Sequence, residues 1–199
     1  MSLTVPNTAP FTGAQKMWLK GYLDALNSAL TPSDGSAVTI AEPTVTAGLP
    51  VTILWGSQTG NSEMLGKKLV KQLAAKGHSP TLLDMAAVSP PDLTSIEHLL
   101  IITSTYGDGE PPDNAAALHA ALHAADAPML SNVSFSVLAL GDSSYPDFCK
   151  CGHDFSTRLI ALGATALVPI VECDVDYDAS FASWVTQLEK SLAVSATVA

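Results

Sequence analysis

The chain has 199 residues, 47% of them hydrophobic and 14% charged, and nineteen acids against nine bases give a net charge of −10. A chain this acidic is poorly suited to nucleic acid, whose binding rests on lysine and arginine contacts to phosphate, and a chain this apolar is not disordered. No apolar run approaches the ~20 residues of a membrane span, and Met1–Pro10 lacks a secretory signal, so a cytoplasmic domain with an appendage is expected.

Residues 11–30 predict an amphipathic helix, with Trp18, Leu19, Tyr22, Leu23, Leu26 and Leu30 at helical spacing. Residues 31–50 are rich in Thr, Pro, Ala, Ser and Gly and read as a linker, which makes residues 1–50 an N-terminal extension. From there strands and helices alternate. Val51–Trp55 is an apolar strand. Glu63–Lys76 is a helix with Leu65, Leu69 and Leu73 inward and Lys67, Lys68 and Lys71 outward. Thr81–Met85 and His98–Thr103 are strands, Asn114–Ala125 an Ala-rich helix, and Ser134–Leu140 a fourth strand. A helix follows over Cys149–Leu162, then a strand over Ala166–Val171 and a last helix over Asp178–Leu192. Residues 193–199 read as a tail or the start of a further linker.

This alternation implies an α/β fold, a doubly wound five-stranded parallel sheet in the order 2-1-3-4-5 spanning residues 51–192. Ligands in such sheets sit outside the carboxyl ends of the strands. Cys149, Cys151 and Cys173 read as reduced thiols, and the single residue between the first two fits neither a zinc nor a redox motif. His119 and His123 are four apart on a helix, but no third ligand is evident, so an exposed helix face is the expected reading.

Three loops leave the ends of strands 1, 3 and 4. The first, Gly56-Ser57-Gln58-Thr59-Gly60-Asn61-Ser62, precedes a helix and outlines a phosphate cradle of backbone N–H groups and hydroxyls. It lacks the Gly-Lys-Ser/Thr ending of a nucleoside-triphosphate loop, so a phosphate monoester held by neutral donors fits better. Alone, the same residues also read as a capped strand-to-helix turn. The second, Ser104-Thr105-Tyr106-Gly107-Asp108-Gly109-Glu110-Pro111-Pro112, sets an aromatic beside two glycines. The third, Leu140-Gly141-Asp142-Ser143-Ser144-Tyr145-Pro146-Asp147-Phe148-Cys149, repeats that pairing with Tyr145. No nucleophile elbow is present and no histidine lies in any of the three, which leaves a serine hydrolase little support. Together the loops describe a site for a flat mononucleotide such as flavin mononucleotide (FMN).

These loops resemble, in order and spacing, the three FMN loops of the flavodoxin-like domain of the diflavin reductases. Gly141-Asp142-Ser143-Ser144-Tyr145, Phe148-Cys149, Glu172-Cys173-Asp174-Val175-Asp176-Tyr177 and Trp18-Leu19-Lys20-Gly21-Tyr22 resemble the sulfite-reductase branch. Tyr106 departs from that branch, where glutamine is usual, and is similar to reductases serving haem monooxygenases. The resemblance implies that Ser57, Gln58, Thr59, Gly60, Asn61 and Ser62 hold the FMN phosphate. It implies that Ser104, Thr105, Tyr106 and Gly107 line one side of the ring, with Gly107 near its N5. Leu140, Gly141, Asp142, Ser143, Ser144, Tyr145, Asp147, Phe148 and Cys149 would line the other side, with Tyr145 stacked. It further implies an FAD- and NADPH-binding module beyond this chain, and a haem or sirohaem protein that takes electrons one at a time. The leading helix would serve oligomerisation. Asp174, Asp176 and Asp178, following strand 5, would steer a basic partner. Other readings are a free-standing flavodoxin, a two-electron quinone reductase, whose substrate space Tyr106 and Tyr145 would obstruct, and a non-redox binding module.

Overall fold

The computed structural model describes Leu23 and residues 48–198. The chain divides into two compact units, Met1–Thr44 and Val45–Ala199. Leu23 is helical and half-buried; the rest of the expected leading helix and residues 31–47 of the expected linker lie outside the described residues, while Leu49 is buried and Pro50 already belongs to the first strand.

In chain order the elements are β1 (Pro50–Gly56), α1 (Asn61–Ala75), β2 (Ser79–Asp84), α2 (Pro90–Leu93), β3 (His98–Ser104), α3 (Asp113–His123), β4 (Ser134–Leu140), α4 (Lys150–Ala161), β5 (Thr165–Ala166), β6 (Val171–Cys173) and α5 (Asp178–Val198). The strands run parallel in the order β2-β1-β3-β4-β5, with β6 also paired to β4. That is the doubly wound, flavodoxin-like arrangement the alternation predicts. Helices cover both faces, which is why β3 is buried from His98 to Thr103 around the unbroken apolar run Leu99-Leu100-Ile101-Ile102. Leu100 and Ile102 pack with Leu65, Leu69 and Leu73 of α1 and Trp184 and Leu188 of α5. Leu99 and Ile101 face the other way, against Leu118 and Leu122 of α3 and Phe155 and Leu159 of α4. Each such aliphatic side chain stabilises the fold by roughly 1.5–3 kcal/mol on burial.

Three features differ from the sequence reading. The fifth strand is two short pieces. Ser134 and Phe135 pair with Thr165 and Ala166, and Leu138, Ala139 and Leu140 with Val171, Glu172 and Cys173. Two residues of β4, Ser136 and Val137, therefore face residues 167–170. Pro169 lies in that stretch and has no N–H to give the ladder. The buried Ser136 hydroxyl takes over: it donates to the Val168 carbonyl at 3.3 Å and accepts from Trp184 Nε1 at 2.8 Å. Second, the short α2 forms where no helix is predicted. Pro90 starts it and the Asp92 carboxylate accepts from the Ser89 amide at 2.8 Å. Third, α5 continues to Val198, past the last inward leucine, Leu192. Among the described residues no helix is long and apolar enough to cross a membrane.

Candidate functional site

The carboxyl ends of β1, β3, β4 and β6 open onto a cavity of about 570 Å³. That lies within the roughly 300–1,000 Å³ typical of small-molecule pockets.

The first loop reaches it through Thr59 and Asn61. Ser57 organises the turn: its hydroxyl accepts from the amides of Gly60 at 2.9 Å and Ser62 at 3.3 Å, and its own amide donates to Asn114 Oδ1 at 2.9 Å. Gln58 bridges to Asp113 on α3 at 3.3 Å, and Gly60 caps α1 in a left-handed conformation. Among the described residues no protein group accepts from the amides of Gln58, Thr59 or Asn61. The Ser62 hydroxyl is fully buried in the first turn of α1 and has no hydrogen-bond partner. A buried hydroxyl without a partner costs about 1–3 kcal/mol unless a ligand satisfies it. Bare amides at a helix start, where the macrodipole favours negative charge, complete an anion cradle.

Ser104, Thr105, Tyr106 and Gly107 line the second side. Tyr106 and Glu110 exchange amide–carbonyl bonds of 2.9 and 2.8 Å, pinching the loop into a narrow finger whose tip turns through Gly107 (φ 53°) and Gly109 (φ 93°). At φ values this positive a glycine is the unstrained choice. A Cβ on Gly109 would lie 3.0 Å from that of Asp147, so the finger leans on the third loop. The Ser104 hydroxyl is a second buried group without a partner.

Leu140, Gly141, Asp142, Tyr145, Asp147, Phe148 and Cys149 line the third side; Ser143 and Ser144 do not reach the cavity. They brace the loop instead: the Asp142 carboxylate accepts from the Ser144 amide at 2.9 Å, and the Ser143 amide and hydroxyl both donate to the Asp174 carboxylate. Gly141 passes so near Cys149 that a Cβ would stand 2.9 Å from its amide nitrogen. Cys149 itself is buried with φ 56°, the one positive φ outside glycine among the described residues, and its thiol donates to the Ala139 carbonyl at 3.2 Å. Burial pushes that thiol up to about 12 and the Cys173 thiol up to about 11, so both stay protonated and unreactive near neutral pH.

Tyr106 and Tyr145 border the cavity half-exposed, at 54% and 62%. They offer aromatic faces to a flat ring. Three lining residues escaped the sequence reading of the site: Asp174, Val175 and Tyr177. Their signal was positional, since they follow the last strand at the same end of the sheet. The hydrogen bonds from the Ser143 hydroxyl and amide hold the Asp174 carboxyl below the usual carboxylate range. Trp55 is half-buried and does not line the cavity. His119 and His123 stack on each other at 4.4 Å, and among the described residues no cluster could hold a metal ion.

Comparison with known proteins agrees with this geometry. The model of the family described as Flavodoxin matches residues 53–184. The chain belongs to the flavodoxin family. It is 44% identical over 184 residues to the sulfite reductase (NADPH) flavoprotein alpha-component of Bacillus subtilis, covering 91% of this chain and 30% of that protein. The corresponding protein of Shewanella oneidensis is 45% identical over 179 residues, covering 89% of this chain and 29% of its own length. The chain thus spans about 30% of the curated relatives it matches. Among solved structures, a flavodoxin of Streptococcus pneumoniae TIGR4 superposes with a TM-score of 0.65 at 27% identity, over 73% of this chain and 99% of that one. A cysteine-to-alanine mutant of the Pseudomonas aeruginosa flavodoxin gives 0.60 at 30% identity, over 71% and 99%. The resemblance read from the three loops therefore holds at the level of family and of similar proteins.

Proposed function

We propose that the chain is the FMN-binding electron-transfer domain of a sulfite-reductase-type NADPH diflavin reductase of the cytoplasm. In this reading it accepts electrons from the FAD of an FAD- and NADP-binding module outside this chain and passes them singly to a haem or sirohaem protein. The observation that carries it is the pairing of the buried, unpartnered Ser62 hydroxyl and bare loop amides with a cavity flanked by two half-exposed tyrosines. The names of the Bacillus and Shewanella relatives support the choice of branch. When bound, FMN supplies the redox chemistry; the protein supplies binding and electrostatics.

Each loop has its task in this reading. Residues 57–62 hold the phosphate without a basic side chain. Tyr106 and Tyr145 bracket the ring and exclude water. The Tyr106 carbonyl is already taken by the Glu110 amide, whereas among the described residues nothing donates to the Gly107 carbonyl. Gly107 is therefore the group proposed to accept a hydrogen bond from N5 of the reduced ring. Asp108, Glu110, Asp142 and Asp147 lie in or beside the ring loops, and their negative charge disfavours an anionic reduced ring, lowering its potential. The N-terminal helix is proposed to mediate oligomerisation. A second reading, a free-standing flavodoxin, is favoured by the 99% coverage of the solved flavodoxins. The test is to add FMN, separate free flavin, and measure potentials by spectroelectrochemistry. Retained yellow protein with two resolved one-electron potentials supports electron transfer. A protein that stays colourless overturns it.

A further inference from the structure

Between Lys76 and Lys150 the sequence has no lysine or arginine, although that stretch carries the whole second loop and nearly all of the acids around the cavity. Lys150 ends the run at the first position of α4, where no acid shares the first turn and the helix macrodipole disfavours a cation. A local rule broken in this way points to a gain elsewhere. The Lys150 stem lies across Gly109 of the finger: a Cβ there would stand 2.6 Å from the lysine Cδ. Its head is fixed as well, with Nζ 2.6 Å from Asp154 Oδ2 one turn along α4. His119 of α3 approaches the same oxygen at 3.8 Å, and among the described residues its Nε2 has no hydrogen-bond partner. Burial foremost, and then His123, hold His119 below the ordinary histidine value, so near neutral pH it leaves Asp154 to the lysine. The hydrogen bond to Asp154 and the nearby charge of Asp147 hold the Lys150 ammonium above its ordinary value. Lys150 itself does not line the cavity.

We propose that Lys150 is a positioning residue for the flavin: its stem braces the finger from outside the cavity, and its ammonium offsets the carboxylates around the ring. This rests on the FMN reading above. The finger is closed at its base by the Tyr106–Glu110 pair and turns on two glycines, so its tip needs support from a neighbour. A lysine gives that support with its methylenes while its charge stays in water. Gly109 leaves the room: any side chain there would occupy the place of the stem. Pairing with Asp154 fixes the stem in the one orientation that crosses the finger. The charge acts on the flavin separately. Asp142 and Asp147 line the cavity and disfavour an anionic reduced ring, and a cation beside them works the other way. Without Lys150, Asp154 would add a further uncompensated carboxylate. The other two bases of residues 101–199 are placed differently: Arg158 donates to the Leu122 and Ala124 carbonyls, and Lys190 belongs to α5.

Three variants separate stem from charge. Lys150→Met keeps the stem and removes the charge, Lys150→Ala removes both, and Lys150→Arg keeps both. Amide hydrogen exchange in the FMN-free chain reads the finger at Tyr106 and Glu110, whose amides are bonded to each other's carbonyls. These two are expected to exchange about tenfold faster in Lys150→Ala and at the parent's rate in Lys150→Met and Lys150→Arg. Spectroelectrochemistry of the FMN-loaded proteins reads the charge. In Lys150→Met the affinity for reduced relative to oxidised FMN is expected to fall about threefold, which lowers a one-electron potential by about 30 mV, and Lys150→Arg is expected to restore it. Finger amides in Lys150→Ala that exchange as slowly as the parent's overturn the proposal, as does faster exchange spread evenly over α4 and the sheet. An unmoved potential in Lys150→Met overturns it too. A parent chain that retains no FMN marks failure of the flavin reading instead, and the exchange rates of the FMN-free proteins still decide for or against the brace.

Discussion

Ser62 lets the binding role proposed for it be tested apart from stability, because its hydroxyl is buried and unpartnered. Its hydroxyl is unpartnered inside the first turn of α1, so the ligand-free protein gains little from it. Ser62→Ala is expected to leave the melting temperature of the free protein unchanged or slightly raised. FMN affinity is expected to fall about tenfold, the equivalent of ~1.4 kcal/mol, as one ligand hydrogen bond is lost. Thermal melts with and without FMN, beside a flavin-fluorescence titration, read both quantities. An equal loss in both would place Ser62 in the core rather than the cradle. The hydroxyl's residue type was legible in the sequence; its burial was not, because that depends on how α1 lies on the sheet. The thiols make a pH prediction at the same scale. Burial raises all three above the ordinary value of 9.0, Cys149 to about 12 and Cys151 and Cys173 to about 11. Folded thiols then keep protons that the unfolded chain releases, so their stabilisation is complete below about pH 9 and is lost as pH rises towards 11 and 12. Guanidinium unfolding under reducing conditions should show stability declining from pH 8 to pH 10. The Cys149→Ala, Cys151→Ala, Cys173→Ala protein should show a flatter profile, and native protein at pH 8 should react slowly with a thiol reagent.

Among the elements, the interrupted edge strand carries the clearest consequence. Ser136, Trp184 and Val168 form a buried chain in which a single hydroxyl satisfies an indole N–H and a carbonyl that the ladder cannot. Ser136→Ala leaves both unpaired and is expected to cost about 1–3 kcal/mol. Denaturant unfolding measures the cost, and tryptophan fluorescence reports the lost indole bond. A loss under about 0.5 kcal/mol would mean water replaces the hydroxyl. This region also marks the boundary of what sequence reading reached. Strands β1, β3 and β4 were legible because burial on both faces leaves continuous apolar runs. The fifth position was legible only as an apolar stretch. Its division at Pro169 depends on the edge of β4, and so does the delivery of Asp174, Val175 and Tyr177 to the cavity. The loops after β1, β3 and β4 could be read because their glycines and aromatics are local signals. The Ser143–Asp174 brace joins residues 31 apart and leaves no local mark.

Across the whole molecule, charge is divided by position. Residues 101–199 hold twelve acids and three bases, and residues 1–100 seven and six. The acidic half supplies the second and third loops and the run from Asp174 to Asp178, so Asp142, Asp147 and Asp174 line the cavity beside Tyr106, Tyr145 and Val175. A field of that kind raises the encounter rate with a basic acceptor and is screened over ~10 Å at 0.1 M salt. Electron transfer from the FMN-loaded, dithionite-reduced protein to a basic haem protein should therefore slow about tenfold between 0.01 and 0.5 M salt. Asp108 and Asp176 are exposed and outside the lining, which makes them the positions to change. Asp108→Asn with Asp176→Asn should lower the rate at low salt and flatten its salt dependence while leaving FMN affinity intact. Affinity and rate falling together would assign these carboxylates to holding the loops. A rate indifferent to salt in the parent protein would mean the acids serve the flavin potential and solubility, and that the acceptor is recognised by the apolar contacts at the mouth.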